Sequence, residues 1–309
     1  MSIKEIGFIG LGRMGWNMVA RILSAKTIRV HVWDRDAEKV NEMAGKGALV
    51  ALNREHLVRQ LKTHPRVVWM MLPAGEATEE TFQGLLALLE KDDIIIDGAN
   101  SNWQDSVRRY QEASRQGIHM LDVGVSGGII AAESGYPMMV GGEEAVYGYC
   151  LPIFESVGLP GGIGLVGDGG SGHYVKMVHN AIEYGMMQAI GEGFDLLRNG
   201  SKKDLDVKKV AHIWNHGTVV SSFLMEMVER ALKADSTLAG VAPWVEDSGE
   251  GRWCVHDAIS NGVPFVSNTY ALNARFQSRE TDSFALKLLA CLRKEFGGHG
   301  VKSDYTSNA

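Results

Sequence analysis

The chain has only three cysteines in 309 residues, Cys150, Cys254 and Cys291, and they lie far apart with no CxxC pair. That spacing excludes a disulfide framework and a thiolate zinc site, and it fits a reducing compartment. The ten histidines form no HExxH or similar ligand motif, so no metal is expected. Positive charge is also scarce. A formal net charge of -6 argues against non-specific nucleic-acid binding, which needs a basic surface. Local arginines can still serve a small anionic substrate. No apolar run approaches the ~20 residues that span a bilayer, so no membrane segment is expected. A strand-like run starts almost at Met1, leaving no signal-peptide pattern. The expectation is a cytoplasmic protein.

Length and patterning point to two domains. The chain is long enough for both, and its 45% hydrophobic and 22% charged content is ordinary for a globular protein. Apolar runs at Ile3–Ile9, Ile28–Trp33, Val67–Leu72, Asp93–Asp97 and His119–Val123 alternate with helical patterns, the first from Arg13 to about Ala25. Such alternation predicts an α/β Rossmann-type, doubly wound parallel sheet with helices on both faces. After Gly170 strand-like runs become scarce, and helical patterns dominate to about Phe296. The expected boundary gives residues 1–168 to the sheet domain and 169–309 to an all-α domain. Lys302–Ala309 reads as a polar, mobile tail.

Gly10-Leu11-Gly12-Arg13-Met14-Gly15 follows the first strand and opens a helix. Gly10 permits a tight turn, Gly12 lets a pyrophosphate approach the backbone, and Gly15 lets helix and strand pack closely. The helix start adds free N–H groups and a positive dipole end. Asp34 ends the second strand, nineteen residues after Gly15, where an acid can accept from ribose hydroxyls. Three further loops end strands at the expected carboxyl edge: Met71-Leu72-Pro73-Ala74-Gly75, Asp97-Gly98-Ala99-Asn100-Ser101 and Gly124-Val125-Ser126-Gly127-Gly128. Each alone is ordinary turn chemistry. Three in succession beside a dinucleotide turn favour a ligand site, with Asn100 and Ser126 as neutral donors and acceptors.

The segment from Gly167 to Ile190 carries the sharpest chemical signal. Read as a helix, it places Lys176, His179, Asn180, Glu183 and Tyr184 at i, i+3, i+4, i+7 and i+8, on one face. The opposite face, Val178, Ala181, Ile182, Gly185 and Ala189, is apolar or small. Lys176 and Glu183 would be roughly 10 Å apart along the axis. That suits a base and an acid acting on different atoms of one small substrate. The bland alternative is a helix start with an ordinary polar flank. Trp214-Asn215-His216-Gly217 reads as helix packing and a local bend.

The motifs GFIGLGRMG, DGANSNW, GVSGG, GHYVKMVHNAIEYGMMQ, SGEGRW and FGGH together span nearly the whole chain. In them the sequence resembles the short, decarboxylating form of 6-phosphogluconate dehydrogenase, in the β-hydroxyacid dehydrogenase superfamily. The resemblance implies oxidation of 6-phosphogluconate to ribulose 5-phosphate and CO2, as in the pentose phosphate pathway and gluconate use. It implies Lys176 as general base and Glu183 as the acid that protonates the enediol. Asn100, Ser126, Gly127, Gly128, His179 and Asn180 would orient the sugar acid, and Tyr184, Arg252 and Arg275 its phosphate. Leu72, Pro73, Ala74 and Asn100 would join Gly10–Gly15, Asp34 and Arg35 around the cofactor. Asp34-Arg35-Asp36 favours NAD over NADP, because Asp34 would oppose a 2′-phosphate, with NADP use still possible. The closing motif implies a homodimer or higher homo-oligomer in which Arg293 and His299 complete a neighbour's site. Three departures from the family stand in the pocket motifs: Ala99 for a glycine, Cys254 for a threonine, and Ile129-Ile130-Ala131-Ala132 for a more variable, often aromatic or charged stretch. Two other readings stay open: a non-decarboxylating dehydrogenase acting on a compound such as 3-hydroxyisobutyrate, and a nucleotide-sensing protein without turnover.

Overall fold

The computed structural model describes residues 3–302. The tail expected to be mobile lies, apart from Lys302, outside the described residues. Eight strands form one sheet: β1 (Glu5–Ile9), β2 (Arg29–Trp33), β3 (Leu49–Val50), β4 (Val67–Met70), β5 (Ile94–Asp97), β6 (His119–Val125), β7 (Tyr136–Gly141) and β8 (Gly158–Gly167). Between them run α1 (Arg13–Ala25), α2 (Ala37–Ala44), α3 (Arg54–Gln60), α4 (Glu76–Leu86), α5 (Trp103–Arg115), α6 (Ala131–Ser134) and α7 (Glu144–Val157). The helices that follow are α8 (Ser171–Asn199), α9 (Val207–Asn215), α10 (Phe223–Ala234), α11 (Glu250–Ser260), α12 (Val266–Ser278) and α13 (Phe284–Gly297).

The strand order is β3-β2-β1-β4-β5-β6-β7-β8. The order reverses between β1 and β4, which is where a doubly wound sheet opens a ligand crevice at its carboxyl edge. All pairings are parallel except β6 with β7, which is antiparallel. Alternation along the strands divides the core. Ile6, Phe8, Trp69, Ile94, Ile96 and Leu121 face one layer, completed by Met18, Val19 and Ile22 of α1 and Ile153 and Phe154 of α7. Ile9, Val68, Met70, Ile95 and Met120 face the other, completed by Leu57 and Val58 of α3 and Phe82 and Leu85 of α4. Successive strand side chains point to opposite faces, so near-continuous apolar runs are what a sheet covered on both sides requires.

By its internal contacts the chain forms two compact units. One comprises the residues up to Ile182 together with Glu250–Asn261; the other comprises Glu183–Gly249 and the residues from Gly262 on. The sheet, the first turns of α8 and all of α11 belong to the first. In the second, α9 packs on α10, and the rings of Phe194 and Trp214 meet edge to face at 5.5 Å. α9 stops at Asn215, and Gly217 turns the chain at φ 80°. Among the described residues, no helix is long and apolar enough to cross a membrane.

Candidate active site

The turn after β1 is built on missing β-carbons. Gly10 takes φ +101°, and a Cβ there would lie 2.3 Å from the Met71 carbonyl oxygen. A Cβ on Gly15 would lie 2.1 Å from the Gly10 oxygen, so the first turn of α1 rests directly on the loop. At Gly12, the N-cap of α1, the same position opens on empty space. No side chain caps α1. Its leading N–H groups therefore face an open concavity with the positive end of the helix behind them. Leu11 N donates to Asp34 Oδ2 at 2.6 Å, and Asp36 N donates to Asp34 Oδ1 at 2.8 Å. Each oxygen keeps a lone pair, so the carboxylate is both fixed and able to accept ribose hydroxyls. Arg13 and Arg35 are exposed beside this turn, and Met14 is half-buried. Uncapped amides, open space over Gly12 and an anchored acid fit a dinucleotide. Asp36 caps α2 by accepting from Glu38 N and Lys39 N.

The loops after β4, β5 and β6 lie at the same sheet edge. Leu72, Pro73 and Ala74 leave β4, with Thr78 Oγ1 donating to the Pro73 oxygen at 2.8 Å. Asn100 follows β5 at φ 51° and bonds Val125 in both directions: Nδ2 donates to its oxygen at 3.3 Å, and Oδ1 accepts from its N–H at 3.1 Å. That double bond ties the β5 loop to the end of β6. Ser126 N donates to the Pro137 oxygen, and Gly127 and Gly128 take φ values of 92° and 56°. Space is open at the Cβ position of Gly128, while a Cβ on Gly127 would meet Ala131 Cβ at 2.6 Å.

Asp122 and Glu250, which the sequence reading did not select, and Gly124 of the third loop hold α8 in place. Buried Asp122 of β6 accepts from Gly170 N at 2.6 Å and His173 N at 2.7 Å, capping the helix. Burial pushes its carboxyl up, against the pull of His173 and these amides. Gly124 lets the helix settle on β6: a Cβ there would lie 2.4 Å from Lys176 Cβ. Lys176 is buried, only 6% exposed. Its Nζ lies 3.5 Å from His179 Nδ1, and that nitrogen lies 3.1 Å from Asn180 Oδ1. Asn180 Nδ2 donates to Glu250 Oε1 at 3.1 Å. Glu250, which the sequence reading did not select, is itself buried at the start of α11. Its link to Asn180 spans 70 positions, so no local spacing announces it.

Glu183 and Tyr184 continue the same helix within the second unit. Tyr184 is buried, and its hydroxyl accepts from Ser248 N at 3.1 Å and meets Ser248 Oγ at 3.2 Å. The Arg275 guanidinium lies 3.6 Å over the Tyr184 ring and donates to the Glu246 oxygen at 2.7 Å. The structure thus brings Tyr184 and Arg275 together. Arg252 lies on α11 in the first unit, two residues from Cys254. Burial pushes the Cys254 thiol up to about 11, so it stays a neutral thiol. Arg293 is exposed on α13, and His299 follows that helix with its ring against Gly297. The expected apolar back of α8 is not uniformly covered: Ala181 is buried, but Ile182 is 50% exposed and Ala189 is exposed as well. Ligand atoms of His212 on α9, His216 just beyond it and Glu229 on α10 lie within 4.8 Å of one another, a grouping the sequence reading missed because Glu229 is on a different helix.

A dinucleotide-shaped turn at the switch point of the sheet, with a buried lysine on the helix docked against β6, is the layout of a Rossmann-type dehydrogenase. Residues 5–167 match the model of the NAD binding domain of 6-phosphogluconate dehydrogenase, and residues 172–300 match its C-terminal domain. An NAD(+)-dependent, decarboxylating 6-phosphogluconate dehydrogenase of Haloferax volcanii is 43% identical over 299 residues, covering 96% of this chain and 98% of the relative. The solved Plasmodium falciparum 6-phosphogluconate dehydrogenase, studied with NADP+ and with its substrate, superposes with a TM-score of 0.81 at 31% identity. That match covers 98% of this chain and 67% of the Plasmodium one. Mycobacterium tuberculosis 3-hydroxyisobutyrate dehydrogenase shares the fold, with a TM-score of 0.73 at 22% identity over 94% of this chain and 99% of that one. The chain belongs to the 6-phosphogluconate dehydrogenase family.

Proposed function

We propose that the protein oxidises and decarboxylates 6-phosphogluconate to ribulose 5-phosphate and CO2, with NAD as the preferred electron acceptor. The observation that carries the reading is the buried Lys176, docked on Gly124 and joined to His179, Asn180 and Glu250. In this reading residues 1–168 form the nucleotide-binding domain, whose loop residues also reach the sugar acid, and residues 169–309 form the helical substrate and dimerisation domain. Gly10–Gly15 cradle the pyrophosphate and Asp34 the ribose, with Arg35, Leu72, Pro73, Ala74 and Asn100 lining the cofactor. The nicotinamide, when bound, accepts the hydride from C3 of the substrate.

Lys176 takes the proton of the C3 hydroxyl as the C3–H bond breaks, which leaves a 3-keto acid. The C1–C2 bond then breaks, CO2 leaves, and the bonding electrons pass into an enediol. Lys176 returns its proton to the C3 oxygen in that step. Glu183 donates a proton to the carbon that becomes C1 of the product. Asn100, Ser126, Gly127, Gly128, His179 and Asn180 orient the sugar acid, and Tyr184, Arg252 and Arg275 hold its phosphate with planar donors and a hydroxyl.

The working form is a homodimer, with Arg293 and His299 of the partner subunit completing each site. Supporting this, α13 buries none of its residues, yet Phe284, Leu286, Leu289 and Phe296 on it are each more than half exposed. Apolar surface of that extent marks an interaction face. The three free thiols suit a reducing, cytoplasmic setting. A spectrophotometric assay of 6-phosphogluconate with NAD and with NADP tests the reading, with ribulose 5-phosphate and CO2 identified afterwards. Cofactor reduction without CO2 release, or turnover of 3-hydroxyisobutyrate alone, would overturn it.

A further inference from the structure

We infer that Glu250, acting through Asn180, fixes the tautomer of His179 and so decides what His179 offers to Lys176. The inference rests on the reading of this helix face as the site of proton transfer. Glu250 opens α11 and is 8% exposed. An acid in the first turn of a helix is favoured by the positive end of its dipole. The two ends of an asparagine amide have the same shape, and only partner chemistry tells them apart. Glu250 Oε1 accepts from the NH2 end of Asn180, at 3.1 Å.

Oδ1 of Asn180 is thereby turned toward His179 Nδ1, 3.1 Å away. A carbonyl oxygen cannot donate, so Nδ1 must carry the hydrogen. The same Nδ1 lies 3.5 Å from Lys176 Nζ. A ring nitrogen whose hydrogen points at Asn180 offers Lys176 no lone pair. His179 Nδ1 therefore draws no hydrogen from Lys176, and the amine can take the proton of the substrate hydroxyl. With the amide reversed, Nδ1 would face an NH2 group, shed its hydrogen and accept from Lys176 instead. That arrangement would hold the lysine as an ammonium, the wrong form for a base. Glu250 is thus a positioning residue that acts on Lys176 through Asn180 and His179.

The test reads the tautomer directly. Long-range proton–nitrogen correlation spectra of the full-length protein, with nitrogen-15 in histidine, assign His179 by comparison with His179→Gln. The expected wild-type ring carries its hydrogen on Nδ1. Glu250→Ala should move the population toward the Nε2–H form and lower kcat about tenfold, the rate equivalent of one lost hydrogen bond. KM for NAD should stay within about twofold in the same variant, since the cofactor turn lies elsewhere. Glu250→Gln keeps an acceptor oxygen and should keep both the Nδ1–H form and most of kcat. A wild-type ring protonated on Nε2 alone overturns the inference without any variant. So does a folded Glu250→Ala with an unchanged ring, or a Glu250→Gln as perturbed as Glu250→Ala. The tautomer is measured without substrate, so its failure leaves the proposed reaction standing, and a failure of turnover leaves the tautomer result standing.

Discussion

Gly124 and Lys176 share one small volume. A Cβ on Gly124 would sit 2.4 Å from the Cβ of Lys176 and 2.7 Å from the Gly172 oxygen. Neither neighbour is the far end of a flexible side chain, so α8 itself would have to move. Gly124→Ala should cost about 1–3 kcal/mol of stability through overpacking. It should also displace the Lys176 amine and lower kcat on the order of 100-fold, because misplacement by about 1 Å is enough for that. NAD titration by fluorescence should be nearly unchanged. A Gly124→Ala enzyme with wild-type kcat would show that Lys176 does not depend on this contact.

The proton donor and acceptor can be separated by variants. Lys176→Met should abolish oxidation, and Glu183→Ala should nearly abolish overall turnover. Each loss should be on the order of 10²–10⁴, the usual cost of removing a positioned acid or base. Glu183→Ala should still permit some hydride transfer in a single turnover, whereas Lys176→Met should not. Near wild-type turnover in either variant removes that residue from its assigned role.

Much of this arrangement was legible in the sequence, because its signals are local. The glycine turn and the helix from Arg13 to Ala25 follow from spacing, and so does the shared face of Lys176, His179 and Asn180. What stayed hidden depends on distant partners. β7 and β8 were not anticipated: one contains Pro137, and the other, GLPGGIGLVG, is half glycine, which reads as loop chemistry. Their pairing with the sheet supplies what propensity does not. Asp122 reads as the middle of an apolar strand, yet it caps a helix that begins 49 positions later at Ser171. Glu250 lies within the SGEGRW motif, but its hydrogen bond to Asn180 exists only once α11 folds back onto α8.

Cofactor choice turns on Asp34. Its two carboxylate oxygens each accept a backbone N–H, from Leu11 and from Asp36; in the proposed reading a 2′-phosphate would meet this anchored acid. The wild-type enzyme should show a higher kcat/KM with NAD than with NADP. Asp34→Asn removes the like charge and should raise the NADP to NAD ratio on the order of tenfold. Asparagine has one acceptor oxygen, so one backbone bond is lost and stability should fall by roughly 1 kcal/mol. A wild-type preference for NADP would overturn the assignment.

Acid sensitivity should centre on Glu79. Arg108 beside it, helped by Gln83 and Arg109, holds its carboxyl down to about 2 against an ordinary value of 4.5, with burial opposing. A depressed folded value means the stabilisation is complete above about 4.5 and is lost as pH falls toward about 2. The buried Arg109 links Glu79 to Asp97 and Ser101, and Asp97 Oδ1 accepts from Ala99 N, so the network also supports the Asn100 loop. Thermal midpoints should therefore drop more steeply over that range in wild type than in Glu79→Gln. Parallel curves for the two proteins would exclude Glu79 as the acid-sensitive group.

Assembly and catalysis should prove inseparable. α13 exposes a run of large apolar side chains, and Gly298 beyond it takes φ 65°, a conformation that turns the chain before His299. Arg293 supplies the planar, paired donors that suit a phosphate. The expected species in sedimentation is a homodimer whose sites need Arg293 and His299 of the partner subunit. Truncation from Arg293 onward should raise KM for 6-phosphogluconate sharply and leave NAD binding largely intact. The stricter test mixes two inactive variants, Lys176→Met and Arg293→Ala, under conditions that exchange subunits. One of the two sites in each hybrid then carries both an intact Lys176 and an intact partner arginine, so activity should reappear in proportion to the hybrid fraction. No recovery despite proven exchange, or a fully active monomer, would show that each chain completes its own site.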